Sequence, residues 1–189
     1  MLFPMHSWAT VRFLISVCWL AWFYPFLFRA PHLQKRKSIT AARPTRIGLL
    51  LEVAAIFLAS IFQRNTPPDL ALVAAALALT ILCTILGWQA VNHLGRQFRV
   101  TAGLYDDHEL VRSGPYAIIR HPIYAALLGM LVVTFLLLTP WQIAPVCLAV
   151  FIAGTEVRVR AEDGLLASRF GNEFRAYQHR VPAYIPFVR

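Results

Sequence analysis

Five blocks of apolar residues, each nearly free of charge, dominate the chain. They cover approximately residues 8–28, 47–62, 70–91, 122–139 and 141–155. A helix rises 1.5 Å per residue, so about 20 residues cross a hydrocarbon core of ~30 Å. The first and third blocks reach that length, and the other three are shorter. The pattern predicts an all-α membrane protein with five transmembrane helices.

The connections between the blocks are short in two places. Only Pro140 separates the fourth block from the fifth, which predicts that the last two helices form a tight antiparallel hairpin. Pro145 lies close to the start of the fifth block, where a helix tolerates proline. Pro67 and Pro68 similarly predict a short turn between the second and third blocks.

Basic residues predict the orientation of these helices. Sixteen of the 18 Lys and Arg residues fall in segments 29–46, 92–120 and 158–189, which share one side of the membrane if there are five spans. Because basic residues favour the cytoplasmic side, the N-terminus is expected outside and the C-terminus in the cytoplasm. Residues 1–91 then form a scaffold of three spans. Residues 92–189 form a core whose cytoplasmic pocket is built from the 92–120 loop and the C-terminal helices.

Composition supports a membrane protein and excludes other classes. Hydrophobic residues make up 58% of the chain and charged residues 14%, against about 45–50% and 25% in soluble domains. The net charge of +9 is explained by the basic loops, so the bilayer is expected as a partner and nucleic acid is not. The three cysteines lie inside apolar blocks without metal-ligand spacing, so we expect packing roles and no metal site. Nothing indicates an obligate protein partner, and the first apolar block is expected to be a retained span.

A first group of candidate site residues lies between residues 108 and 124. Gly114-Pro115 indicates a turn, and Pro122 is suited to the first turn of a helix. Free N–H groups at that helix start, beside Arg120 and His121, would form an anion site. Tyr116 and Tyr124 would flank a flat ring such as adenine. The alternative is that these are ordinary membrane-interface residues.

A second group lies after the last apolar block. Arg158 and Glu162 are four residues apart on one helix face, with Asp163 beside them. The arginine would bind a carboxylate through two parallel hydrogen bonds, and Glu162 would hold hydroxyls or an ammonium group. The alternative is an exposed ion pair worth ~0.3–0.5 kcal/mol. Glu52, at membrane depth, is a further candidate, although it could instead pair with Arg46.

The C-terminal tail continues this polar region. Phe170, Phe174, Tyr177 and Val181 recur at helical spacing, which predicts an amphipathic helix on the membrane surface or over the hairpin. An extended segment containing Pro182 and Pro186 follows.

In this order the motifs resemble the isoprenylcysteine carboxyl methyltransferase family, which shares its C-terminal core with the phospholipid methyltransferases. The resemblance covers roughly residues 90–187. The matching runs are Leu94-Gly95-Arg96-Gln97-Phe98, His108-Glu109-Leu110-Val111, Ser113-Gly114-Pro115-Tyr116, Arg120-His121-Pro122-Ile123-Tyr124, Arg158 with Glu162-Asp163, Phe170-Gly171-Asn172-Glu173-Phe174, and Tyr177 through Val181-Pro182 to Ile185-Pro186.

The resemblance implies S-adenosylmethionine as cofactor, with Arg158 and Glu162 as the catalytic residues. Arg158 would bind the substrate carboxylate, and Thr101 is the nearest candidate for a further polar contact. This sequence departs from the family pattern at Ala126, where glycine is usual, at Asp163, where the second acid is usually Glu, and at Ala183. The implied cofactor-binding residues are His108, Glu109, Leu110, Val111, Tyr116, His121, Pro122, Ile123, Tyr124 and Glu162.

The implied activity is O-methylation of an isoprenylcysteine or a similar lipid-linked carboxylate. A carboxylate with a pKa near ~3.3–3.7 is already ionised at neutral pH, so positioning suffices and no general base is needed. One alternative is a lipid N-methyltransferase, which needs a base to deprotonate its ammonium nucleophile. Another is a nicotinamide-dependent membrane reductase, against which the short chain argues. A non-enzymatic transporter or structural protein is the remaining alternative.

Overall fold

Six α-helices account for most of the computed structural model, which describes residues 7–28, 40–41, 44–99, 102–104 and 106–185. Thr40–Ala41 (β1) and Gly103–Leu104 (β2) form a short antiparallel pair, and Gly95–Gln97 and Gly114–Ala117 are single 3₁₀ turns. The helices are α1 (Trp8–Phe28), α2 (Pro44–Ile61), α3 (Leu70–Leu94), α4 (Pro122–Leu137), α5 (Ala144–Phe170) and α6 (Asn172–Arg180).

Within the described residues, three helices are long and apolar enough to cross a membrane: Trp8–Phe28, Pro44–Ile61 and the stretch Leu70–Gln97. Each also exposes large apolar side chains, Phe13, Phe57 and Leu82 among them, as expected for surfaces that face lipid. The prediction of a helical membrane protein is therefore confirmed. Helix α4 is apolar but has only 16 residues.

Helix α5 is longer than the apolar pattern indicated. The fifth apolar block ends at Thr155, but the helix continues to Phe170 and carries Arg158, Glu162 and Asp163 on its extension. It ends at Gly171, whose φ of 53° lies in the left-handed region that favours glycine. Because of this break, the predicted amphipathic segment divides into the end of α5 and the separate helix α6.

The helices pack in two main pairs, α2 against α5 and α3 against α4. Only residues 138–143 connect α4 to α5, yet these two helices contact each other far less than they contact α3 and α2. Small residues allow the close crossings. A Cβ atom on Gly48 would lie 2.5 Å from the carbonyl oxygen of Gly154, and Gly129 faces Cys83. All three cysteines are buried and free, which confirms the packing role expected from their positions.

The C-terminal segment ties the start of α4 to α5 and α6. The N–H of Arg120 donates to the carbonyl of Pro182 (2.8 Å), and the N–H of His121 donates to that of Ala183 (2.7 Å). Ala183 and Tyr184 are buried against the first turn of α4 and the middle of α5. These contacts fix the relative positions of the elements that carry the candidate site residues.

Candidate active site

One cavity of about 330 Å³ lies beneath α6 and the 102–111 segment, between α1, α2, α4 and α5. Its polar lining residues come from the 106–121 segment and α5, and include His108, Glu109, Arg120, His121, Arg158 and Glu162. Its apolar lining residues come mainly from α1, α2 and α4, and include Trp22, Phe23, Phe26, Val53, Ile56 and Leu127. The cavity therefore has a polar part and an apolar part.

Most of the residues that the sequence singled out line this cavity. The set comprises Arg158 and, from the implied cofactor motif, His108, Glu109, Leu110, Val111, Tyr116, His121, Ile123, Tyr124 and Glu162. Pro122 is the exception, because it is the first residue of α4 and serves to start that helix. Thr101 and Pro186 lie outside the described residues.

Buried charges connect the start of α4 to α5. Asp163 accepts hydrogen bonds from Arg120 Nη2 (2.9 Å) and His121 Nε2 (3.0 Å), and the other imidazole nitrogen, Nδ1, lies 3.3 Å from Glu162. Burial alone would lower the pKa of His121, but the hydrogen bonds to Asp163 and Glu162 raise it to about 9. Burial alone would raise the pKa of Asp163, but its bonds to His121 and Arg120 hold it below its usual value. His121 is therefore an imidazolium held between two carboxylates.

A second group of contacts extends the network into the bundle. The Tyr124 hydroxyl donates to Glu162, and the Arg158 guanidinium lies 4.6 Å from the centre of the Tyr124 ring. Arg158 Nη1 donates to Glu52 Oε2 at 2.5 Å, and Thr155 donates to the other Glu52 oxygen at 3.0 Å. Cations and carboxylates thus alternate from Arg120 at one end to Glu52 at the other.

The interpretation of Arg158 and Glu162 as an exposed ion pair is wrong. Arg158 is buried and pairs with Glu52, 106 residues away, while Glu162 binds Tyr124 and His121. Glu52 is fully buried, so its expected alternative of pairing with Arg46 near the interface is also wrong. One feature of the sequence could have indicated this pairing. Gly48 lies one turn before Glu52, Gly154 lies one turn before Arg158, and the two glycines meet where the helices approach closely.

Part of the expected anion site at the start of α4 is already hydrogen-bonded within the chain. The N–H groups of Arg120 and His121 already donate to carbonyls of the C-terminal segment. The Arg120 guanidinium also donates to the carbonyls of Gln178 (3.2 Å) and Val181 (2.5 Å). The physical reason is that a segment 60 residues away in sequence supplies acceptors, which no local pattern reveals.

The remaining wall is formed by the 106–116 segment. Burial, together with the nearby charges of Arg169 and Arg99, lowers the pKa of His108, so its imidazole is neutral at pH 7. Burial raises the pKa of Tyr116 well above its ordinary value, and the Tyr116 carbonyl accepts a hydrogen bond from the hydroxyl of Tyr177 (2.5 Å). The wall therefore presents uncharged rings and apolar side chains next to the buried charges.

The three departures from the family pattern have structural explanations. Ala126 is fully buried among the helices and does not line the cavity. Asp163, shorter than the usual glutamate, accepts bonds from Arg120 and His121. Ala183 is buried, and its carbonyl receives the N–H of His121. None of the three removes a side chain from the cavity wall.

Comparison with known proteins agrees with these motifs. The sequence pattern of the isoprenylcysteine carboxyl methyltransferase (ICMT) family matches residues 76–168, which include the 108–124 segment and both Arg158 and Glu162. The chain is similar to the ICMT family over this range, which is just under half of its length. It is an integral membrane protein, as the family and the three long apolar helices indicate.

Two curated relatives illustrate the range of this similarity. The protein-S-isoprenylcysteine O-methyltransferase of Saccharomyces cerevisiae is 34% identical over 139 residues, which cover 64% of this chain and 56% of the yeast protein. The cobalt-zinc-cadmium resistance protein CzcN of Cupriavidus metallidurans is 32% identical over 148 residues, covering 75% and 63%. The chain thus spans less than two thirds of the length of these relatives.

A solved structure shares the fold. The eukaryotic intramembrane Ras methyltransferase ICMT superposes with a TM-score of 0.65 at 22% identity, covering all of this chain and 70% of that one. The arrangement of helices seen here is therefore the ICMT membrane fold.

Proposed function

We propose that the protein is an S-adenosylmethionine-dependent methyltransferase that esterifies the carboxylate of an isoprenylcysteine or a similar lipid-linked acid. One observation carries the proposal. A single cavity joins the family's cofactor motif to a buried arginine, and continues into an apolar region at membrane depth. A soluble methyl donor and a lipid-linked acceptor need such a site in order to meet.

The polar part of the cavity fits the cofactor. Its volume of about 330 Å³ is in the range of small-molecule sites, roughly 300–1,000 Å³. Leu110, Val111 and Tyr116 offer apolar and aromatic walls for the adenine ring, and Glu162 offers a carboxylate for hydroxyls or the ammonium group. When bound, S-adenosylmethionine supplies an electrophilic methyl group. The remaining members of the proposed binding set are His108, Glu109, His121, Pro122, Ile123 and Tyr124.

Arg158 is the proposed acceptor site. A guanidinium matches the geometry of a carboxylate, and Arg158 lies on the cavity wall, where it pairs with Glu52 of α2. An ionised carboxylate needs only positioning, whereas an ammonium acceptor also needs a base. The carboxylates of Glu52, Glu162 and Asp163 already accept hydrogen bonds from buried cations or hydroxyls, so the site favours a carboxylate over an amine.

We also propose five transmembrane spans, with the N-terminus outside and the active site in the cytoplasm. Helix α4 and the first half of α5 would be the two final spans, connected as a hairpin by residues 138–143. A hydrogen bond from Arg12 to Gln63 supports this topology, because it joins the start of α1 to the end of α2. The polar part of the cavity would then share the cytoplasmic side with most basic residues. Of these, the ones at positions 29–37, 43 and 189 lie outside the described residues.

The division into a scaffold (1–91) and a methyltransferase core (92–189) is proposed in a modified form. Trp22, Phe26 and Glu52 belong to the scaffold but line the cavity. The first two helices therefore contribute to the acceptor part of the site together with Arg158 of the core, and the core supplies the cofactor part.

The direct test is methyl transfer by purified, folded protein. Labelled S-adenosylmethionine and N-acetyl-S-farnesylcysteine should give a labelled product that base hydrolyses, as expected for a methyl ester. Total membrane lipid extract is a parallel acceptor, because lipid N-methylation is the alternative activity. A base-stable labelled amine would indicate N-methylation, and absence of cofactor binding by calorimetry would overturn the cofactor assignment.

A further inference from the structure

Glu52 is a fully buried carboxylate that the matched family pattern does not include. That pattern covers residues 76–168, whereas Glu52 lies on α2. Its two oxygens accept hydrogen bonds from Arg158 and Thr155, and it lines the same cavity as Arg158. The proposed acceptor-binding guanidinium therefore already has a carboxylate partner inside the protein.

The fold holds this pair firmly in place. Helices α2 and α5 approach closely at Gly48 and Gly154, each one turn before Glu52 or Arg158. The opposite side of the guanidinium lies over the ring of Tyr124. Glu52 therefore fixes the position of Arg158 and also cancels much of its charge at the point where the acceptor would bind.

The chemistry of methyl transfer explains why cancelling the charge of Arg158 would help the reaction. The acceptor oxygen bonds to the methyl carbon as the carbon–sulfur bond breaks, and the electron pair of that bond stays on sulfur. The carboxylate and the sulfonium both lose their charge, giving a neutral ester and a thioether. A full positive charge on Arg158 would stabilise the ionised acceptor more than the transition state, which would slow the reaction.

We propose that Glu52 is a positioning residue that neutralises Arg158, so that the site orients the acceptor carboxylate without over-stabilising its charge. This inference rests on the proposed function of the same site. With the cofactor absent, the carboxylates of Glu52 and of the acceptor compete for the guanidinium of Arg158. The repulsion between these two carboxylates limits the affinity for the acceptor. At an effective dielectric constant of ~20, such repulsion over ~6 Å changes an affinity on the order of 100-fold.

The test compares Glu52→Gln with the wild-type protein and with Glu173→Gln, a matched change in an exposed ion pair on α6. Without methyl donor, Glu52→Gln should bind N-acetyl-S-farnesylcysteine about 100-fold more tightly, and should bind its neutral methyl ester as the wild type does. In turnover, both KM for the acceptor and kcat should fall together. Glu173→Gln should change none of these values.

A purely structural role for Glu52 predicts the opposite pattern, weaker binding of both acid and ester with a higher KM, and that result would overturn the proposal. If Glu52→Gln fails to fold, Glu52→Asp keeps the charge but withdraws it by one methylene. It should tighten binding of the acid by a smaller factor, and unchanged or weaker binding would refute the inference. Wild-type protein that transfers no methyl group would instead refute the proposed function.

Discussion

Adding a methyl group at the close contact between α2 and α5 is the most informative perturbation of this site. A Cβ atom at Gly48 would lie 2.5 Å from both Arg158 Cγ and the carbonyl oxygen of Gly154. Ordinary contacts begin near 3.5 Å, so Gly48→Ala requires the two helices to separate by about 1 Å. Overpacking of this kind costs about 1–3 kcal/mol, and a displacement of ~1 Å at a positioned group costs about 100-fold in rate.

The assay is thermal unfolding in detergent, combined with methyl-transfer kinetics. Gly48→Ala and Gly154→Ala should both lower Tm, and both should lower kcat/KM for the acceptor about 100-fold with little change in cofactor affinity. Gly164→Ala, also on α5, has no neighbour within 4 Å of the added Cβ and should stabilise the helix by about 0.5–1 kcal/mol. Gly154→Ala protein with wild-type stability and activity would refute the close crossing as the cause of the Arg158 position.

Three further predictions concern the charge network and the cavity wall. Since the pKa of His121 is raised from 6.5 to about 9 on folding, its stabilising contribution is complete below pH 6.5 and is lost towards pH 9. Melting curves from pH 6 to 9.5 should show about 3 kcal/mol of lost stability, which His121→Gln should abolish. Asp163→Asn should cost about 3–5 kcal/mol because it leaves buried Arg120 without a carboxylate and His121 with only Glu162, whereas Glu173→Gln should cost less than about 1 kcal/mol. Tyr177→Phe leaves a backbone carbonyl on the cavity wall without its donor and should cost about 1–3 kcal/mol, with weaker cofactor binding by calorimetry.

The hydrophobic pattern predicted the helices well because each block must bury or expose a whole helix surface. The polar motifs and the family resemblance brought forward His121, Tyr124, Arg158 and Glu162, all of which line one cavity. Here the local order of motifs carried enough information, since these residues lie close to helix starts or on a single helix face. Burial of polar groups in an apolar chain is costly, so clustering of such residues was a sound expectation.

Other features depend on contacts between distant segments, which periodicity does not encode. A pattern identifies the apolar face of α2, but it does not give the partner helix or the register that sets Glu52 against Arg158. Periodicity likewise does not show that the carbonyls of Pro182 and Ala183 accept hydrogen bonds from the N–H groups just before α4. The break at Gly171 was missed because the spacing of Phe170 and Phe174 fits a continuous helix.

The most direct test of the whole account is an experimental structure with S-adenosylhomocysteine and N-acetyl-S-farnesylcysteine bound together. The nucleoside and amino-acid groups of S-adenosylhomocysteine should lie against residues 108–111, Tyr116 and Glu162. The acceptor carboxylate should bind Arg158, and the farnesyl chain should lie among the apolar side chains of α1 and α2. An acceptor carboxylate bound away from Arg158, or a nucleoside outside this cavity, would contradict the proposed site.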